Sequence, residues 1–89
     1  MRAVVTVLGN DTVGIIAKVS GLLERYSVNV LDISQSVLSD LFAMVMLCDI
    51  AKSTADFAEL AKALDTLAEQ QSLKIHIMHE DIFNSMHRV

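Results

Sequence analysis

The chain is expected to fold as an α+β sandwich, one antiparallel four-stranded sheet carrying two helices on a single face. Three observations predict this. Hydrophobic patterns follow one another as strand, helix, strand, strand, helix, strand. Two of the strand patterns, the first and the third, are apolar on both sides, as the middle strands of a covered sheet must be. Both helix patterns are amphipathic, so each needs only one apolar surface to pack on. Right-handed crossovers then give the strand order 4-1-3-2. This is the ferredoxin-like βαββαβ sandwich, with a short C-terminal helix added.

Residues 2–8, Arg2-Ala3-Val4-Val5-Thr6-Val7-Leu8, are rich in β-branched side chains and stop at Gly9, which predicts a buried strand. The turn Gly9-Asn10-Asp11-Thr12-Val13-Gly14 leads into the first helix, Val13 to Tyr26, where Ile15, Ile16, Val19, Leu22, Leu23 and Tyr26 recur at helical spacing. Asp11 or Thr12 is placed to cap its first free N–H groups. Gly21 costs about 1 kcal/mol relative to alanine inside a helix, so it is expected where the helix approaches the sheet closely.

Ser27-Val28-Asn29 turns the chain into a second strand, Val30 to Leu38, with Leu31, Ile33, Gln35 and Val37 on one face and Asp32, Ser34 and Ser36 on the other. That alternation predicts an edge strand with one wet side. After the turn Ser39-Asp40, the third strand, Leu41 to Ile50, alternates Phe42, Met44, Met46, Cys48 and Ile50 with Leu41, Ala43, Val45 and Leu47. Neither of its faces suits water. Ser53-Thr54-Ala55-Asp56 is expected to cap a second helix carrying Phe57, Leu60, Ala61, Leu64, Leu67 and Ala68. Ser72 to Met78 returns as the fourth strand, and Ile82, Phe83, Met86 and Val89 form an apolar stripe on a closing helix from Glu80 to Arg88. Residues 1–89 thus read as one domain with a core at 2–78 and a helical tail at 79–89. The sheet face opposite the two helices must be covered, either by that tail or by a second subunit.

At 89 residues the domain buries only roughly 60% of its unfolded surface. Its composition is 53% hydrophobic, with a mean hydropathy of +0.47, which points to a further buried surface and hence a homo-oligomer, a dimer in the simplest case. A net charge of −4 with seven scattered Lys and Arg residues excludes a nucleic-acid binder that relies on a basic face. The single cysteine, Cys48, lies in an apolar run and reads as a buried free thiol, consistent with a reducing cytoplasm. The N-terminal apolar run is too short for a secretory leader or a membrane span.

The fold hosts many functions, so the residues at the site must decide between them. Phe42 is the only aromatic in the central strands, which leaves no stacking platform for RNA bases. The turn after the first strand contains no Cys-x-x-Cys for a soft metal, and Asn10 and Asp11 stand where an acylphosphatase-like enzyme would need arginine. No nucleophile with a base at workable spacing, no phosphate-binding glycine loop followed by lysine and no clear carboxylate pair is present, so no enzyme and no cofactor are expected.

Asp11-Thr12-Val13-Gly14-Ile15-Ile16-Ala17-Lys18-Val19, followed by Val28-Asn29-Val30-Leu31-Asp32-Ile33, resembles the paired signature of ACT domains, regulatory amino-acid-binding modules of this same fold. The likeness runs from Arg2 to about Met78, and the tail from His79 to Arg88 is similar to that of small stand-alone members. Val13 stands where many ACT domains carry proline. The resemblance implies a ligand site between two subunits, with Asn10, Asp11, Gly14 and Ile15 on one side and Asn29, Val30 and Leu31 on the other. Backbone N–H groups near Gly14 and Ile15 would hold a carboxylate, Asp11 an ammonium group, and Asn29 would supply both a donor and an acceptor. It also implies an amino acid or similar metabolite as ligand and a metabolic enzyme or regulator as protein partner. The alternative is an interaction module whose ligand site is vestigial. Each of these residues also has a purely structural reading: Asp11 as a cap, Gly14 as a point of close packing, Asn29 as a left-handed turn residue. His76, His79 and His87 share no chelating spacing and are read as surface or interface residues rather than metal ligands.

Overall fold

The computed structural model describes residues 1–10 and 14–86. Its elements are β1 (Arg2–Gly9), α1 (Ile15–Arg25), β2 (Asn29–Leu38), β3 (Leu41–Asp49), α2 (Phe57–Gln71), β4 (Lys74–His79) and α3 (Glu80–Met86). The four strands form one antiparallel sheet in the order β2-β3-β1-β4, the same order as that predicted, counted from the other edge.

The two doubly apolar runs, β1 and β3, are the central pair, with Val5 opposite Met46 and Val7 opposite Met44. These side chains, with Phe42 and Cys48, lie under the helices and pack with Ile15, Val19, Leu22 and Leu23 of α1 and Leu60 and Leu64 of α2. Each fully buried aliphatic side chain contributes about 1.5–3 kcal/mol, so this layer is the main source of stability.

Three connections reverse through serines in the left-handed region: Ser27, Ser39 and Ser72, with φ of 59°, 58° and 56°. At two of them a helix ends by donating the following N–H groups back to its last turn, Val28 to the Leu23 carbonyl and Leu73 to the Ala68 carbonyl. The cap of α2 comes from the stretch expected to supply it. Asp56 is the capping residue, its carboxylate accepting from the Glu59 N–H at 2.8 Å. Ser53 shapes the preceding turn instead, its hydroxyl donating to the Ala55 carbonyl and accepting from the Ala55 N–H.

Two expectations are corrected. A Cβ on Gly21 would meet no neighbouring atom within 4 Å, so α1 does not approach the sheet there. The close approach is at Gly9, where a Cβ would fall 2.4 Å from the end of Leu73 and 3.3 Å from the end of Ile15. In β2, a bulge between Val30 and Asp32 sets Leu31 out of register, and Val30 takes the place opposite buried Cys48. Beyond Val30 every residue of β2 is exposed, so this edge strand is wet on both faces rather than one.

The sheet face opposite the helices is covered only in part. Arg2 and Val4 lie on it, and α3 packs back against β1 and β4. The Arg2 guanidinium donates to both carboxylate oxygens of Glu80, Nε to Oε1 and Nη2 to Oε2 at 2.9 Å each. Val4, between Leu47 and Met78 on the same face, is 3% exposed. The tail therefore folds onto its own sheet at this end, while Leu8, Leu41 and Val45 stay in solvent.

Candidate functional site

Gly14 holds φ 76° and immediately precedes α1, a conformation that costs an ordinary L residue about 1–2 kcal/mol. Its glycine identity follows from that angle and not from crowding, since its nearest neighbour is the Lys18 Cε at 3.8 Å from a built Cβ. Having no side chain, Gly14 caps nothing, and the first turn of α1 carries no acidic residue. Lys18, one helical turn further on, donates to Gln71 Oε1 at 2.6 Å. The corner thus combines the positive end of a helix dipole with an ammonium group. Ile15 is buried in the core, and its backbone belongs to that first turn.

Asn10 is exposed just past the end of β1. Beside it lies a hollow of about 320 Å³ lined by Leu8, Gly9, Asn10, Leu41, Ser72 and Lys74. Ser72 and Lys74 are missing from the sequence-derived set. Lys74 is legible as a wet-face residue of β4, but only the register, which pairs it with Leu8, brings it to this corner. Asp11, Thr12 and Val13 lie outside the described residues, and with them the expected cap and the ammonium-binding carboxylate.

Asn29 is the first residue of β2 and exposed, while the left-handed position belongs to Ser27. A turn-forming role for Asn29 is thereby removed. Val30 packs against the core and Leu31, at the bulge, is 45% exposed. Within one chain these residues are far from the glycine corner. Gly9 pairs with Phe42 and Asn29 with Asp49, seven residues apart on β3 and so separated by roughly 23 Å along the strand direction. One copy does not bring the two halves of the set together.

The histidines are placed separately. His79 stacks on Phe57, ring centroids 4.3 Å apart and planes 17° from parallel, on the helix side of the sheet. His76 is exposed on the other face, and His87 lies outside the described residues. Among the described residues no group of three His, Cys, Asp or Glu side chains is arranged to hold a metal ion. A second hollow, about 600 Å³, lies around Met1, Arg2, His79, Glu80 and Asp81, where the Arg2–Glu80 pair already satisfies its own charges.

A family model described as an ACT domain matches residues 2–78, from the first strand to the penultimate residue of β4. The chain belongs to the ACT domain family. The ACT match stops before α3, yet a UPF0237 protein of Clostridium perfringens is 49% identical over the full length of both chains, tail included. An ACT domain protein from Streptococcus pneumoniae superposes with a TM-score of 0.82, at 35% identity over 93% of each chain. The regulatory subunit of aspartate kinase from Thermus thermophilus shares the fold alone, with a TM-score of 0.66 at 22% identity over 86% of this chain and half of that one. ACT domains are in general regulatory ligand-binding modules and often oligomeric, and no catalytic family is indicated for this one. No helix among the described residues is long and apolar enough to cross a membrane.

Proposed function

We propose that this ACT domain is a non-catalytic, cytoplasmic amino-acid sensor whose ligand lies between two copies of the chain and whose output is read by a protein partner, a metabolic enzyme or regulator. The observation that carries this reading is the separation of the two half-sites across a sheet whose β2 edge is exposed along almost its whole length. Antiparallel pairing of two β2 strands sets the Asn29 end of one copy beside the Leu38 end of the other. That second end is where the Gly14 corner lies. The two half-sites then meet twice, once on each side of the two-fold axis.

The chemistry of each half suits a zwitterion. The N–H groups at the start of α1 and the ammonium of Lys18 favour a carboxylate. The partner's Asn29 offers an acceptor for an ammonium group and a donor beside it, and Asp11 adds a negative charge from the turn. A ligand touching both copies favours the paired arrangement by its differential affinity, and that shift is the signal a partner detects.

The test is thermal unfolding with a panel of amino acids. A cognate ligand at a hundredfold excess over its Kd stabilises the protein by about 2.7 kcal/mol, visible as a rise of several degrees in Tm. Asp11→Ala should abolish that rise. A Tm that no amino acid moves would reject the sensor in favour of an interaction module with a vestigial site.

A further inference from the structure

We propose that the uncovered part of the open sheet face is a docking surface for a second copy of this chain, separate from the β2 edge. Among the described residues, four exposed apolar side chains lie on this face of the sheet, Leu8, Leu38, Leu41 and Val45, and α3, which packs against β1 and β4, adds exposed Ile82 and Met86. Register places the four sheet residues together on the side away from α1 and α2, since their neighbours Val7, Val37, Phe42 and Met44 face the helices or share their side. Their exposures run from 37% for Val45 to 69% for Leu38.

A second copy is favoured over an unrelated partner because the face is complementary to itself. Helix α3 is tied by its Glu80 to Arg2 at one end of this face, and its Ile82 and Met86 are exposed. At the opposite corner Leu38 and Leu41 pair across β2 and β3 and are both exposed. A two-fold axis between the two sheets, diagonal to the strands, sets α3 of each copy on the Leu38–Leu41 corner of the other. The six side chains amount to about three fully exposed aliphatic residues per copy, and with their polar rim an isologous pair removes on the order of 1,000 Å² from water, the size at which specific association begins. None of the six is charged, as suits the centre of such an interface; Asp32 and Lys74 lie on the flanking edge strands.

The test is sedimentation of the full chain over a range of concentrations, with Val45→Glu, the double variant Leu38→Glu/Met86→Glu and, as an edge control, Val37→Glu. Circular dichroism monitors folding, and the double variant changes the two most exposed of the six positions in case Val45→Glu fails to fold. The open-face variants should each halve the mass of the largest species, while Val37→Glu leaves open-face association in place. In parallel, oxidation of Met86 should slow severalfold as the wild-type chain is concentrated. A wild-type chain that stays monomeric, or folded open-face variants that keep the full mass, would overturn the proposal. Loss of mass confined to Val37→Glu would also overturn it and leave the edge-paired sensor standing; a failed amino-acid panel bears only on the sensor.

Discussion

Cys48 is the residue whose chemistry is most changed by its position. It is fully buried on the helix face of β3, opposite Ala3 and Val30, and burial pushes its thiol up from 9.0 to about 11. The folded state favours the neutral thiol, so the folded pKa lies above the unfolded one. The associated stability is complete below about pH 9 and is lost as pH rises toward about 11, on the order of 3 kcal/mol in all. Melting curves between pH 8 and pH 11 should therefore converge for wild type and Cys48→Ala as the wild-type chain loses this term. The same burial leaves the native thiol unreactive toward alkylating reagents. Gly14 illustrates another kind of residue-level constraint. Its glycine is required by one dihedral angle, whereas a sequence shows only that some freedom is needed near a helix start.

At the scale of elements, helix α1 contains an unused opportunity. The sequence suggests that Gly21 is kept for close packing, yet open space surrounds it and its φ is not positive. Gly21→Ala should then raise stability by about 0.5–1 kcal/mol through helix propensity and a stiffer unfolded chain, read as a higher urea midpoint with an unchanged slope. A loss of stability would mean that α1 is crowded in the assembled protein. The edges of the sheet are treated differently from each other. β4 is short, carries Lys74 and His76, and is flanked by α2, which protects it from further pairing. β2 is ten residues long, holds Asp32 as its only charge and is protected by little besides its bulge. Strand β2 is the edge left free to pair, which is why the sensor reading passes through it.

The whole molecule supplies a check that no single site can. Two half-sites on different copies predict complementation: Asp11→Ala and Asn29→Ala each lose the ligand-induced rise in Tm, but an equimolar mixture, refolded together, recovers part of it because one of the two sites in a mixed pair is intact. Variants that damage a site contained in one copy would show no recovery. Much of this architecture was legible beforehand. Apolar residues on both faces marked β1 and β3 as central, and helical spacing marked the buried stripes Ile15-Val19-Leu22-Leu23 and Leu60-Leu64, because these patterns are the local imprint of which surface leaves water. The bulge at Leu31 and the crowding at Gly9 rather than Gly21 were not legible, because each depends on which atoms from a distant strand or loop arrive beside the residue.

By itself, the sequence determined the order of elements, the sheet topology, the central strands and the ACT signature, since periodicity and turn chemistry act between near neighbours in the chain. Only the tertiary structure decided that the glycine corner and the start of β2 stand at opposite ends of the sheet, that Lys18 and Lys74 join the corner, and that α3 covers one end of its own sheet while leaving the rest bare. Those facts follow from strand register and from where a short helix finds its ion pair, and both are set by contacts between residues far apart in the chain.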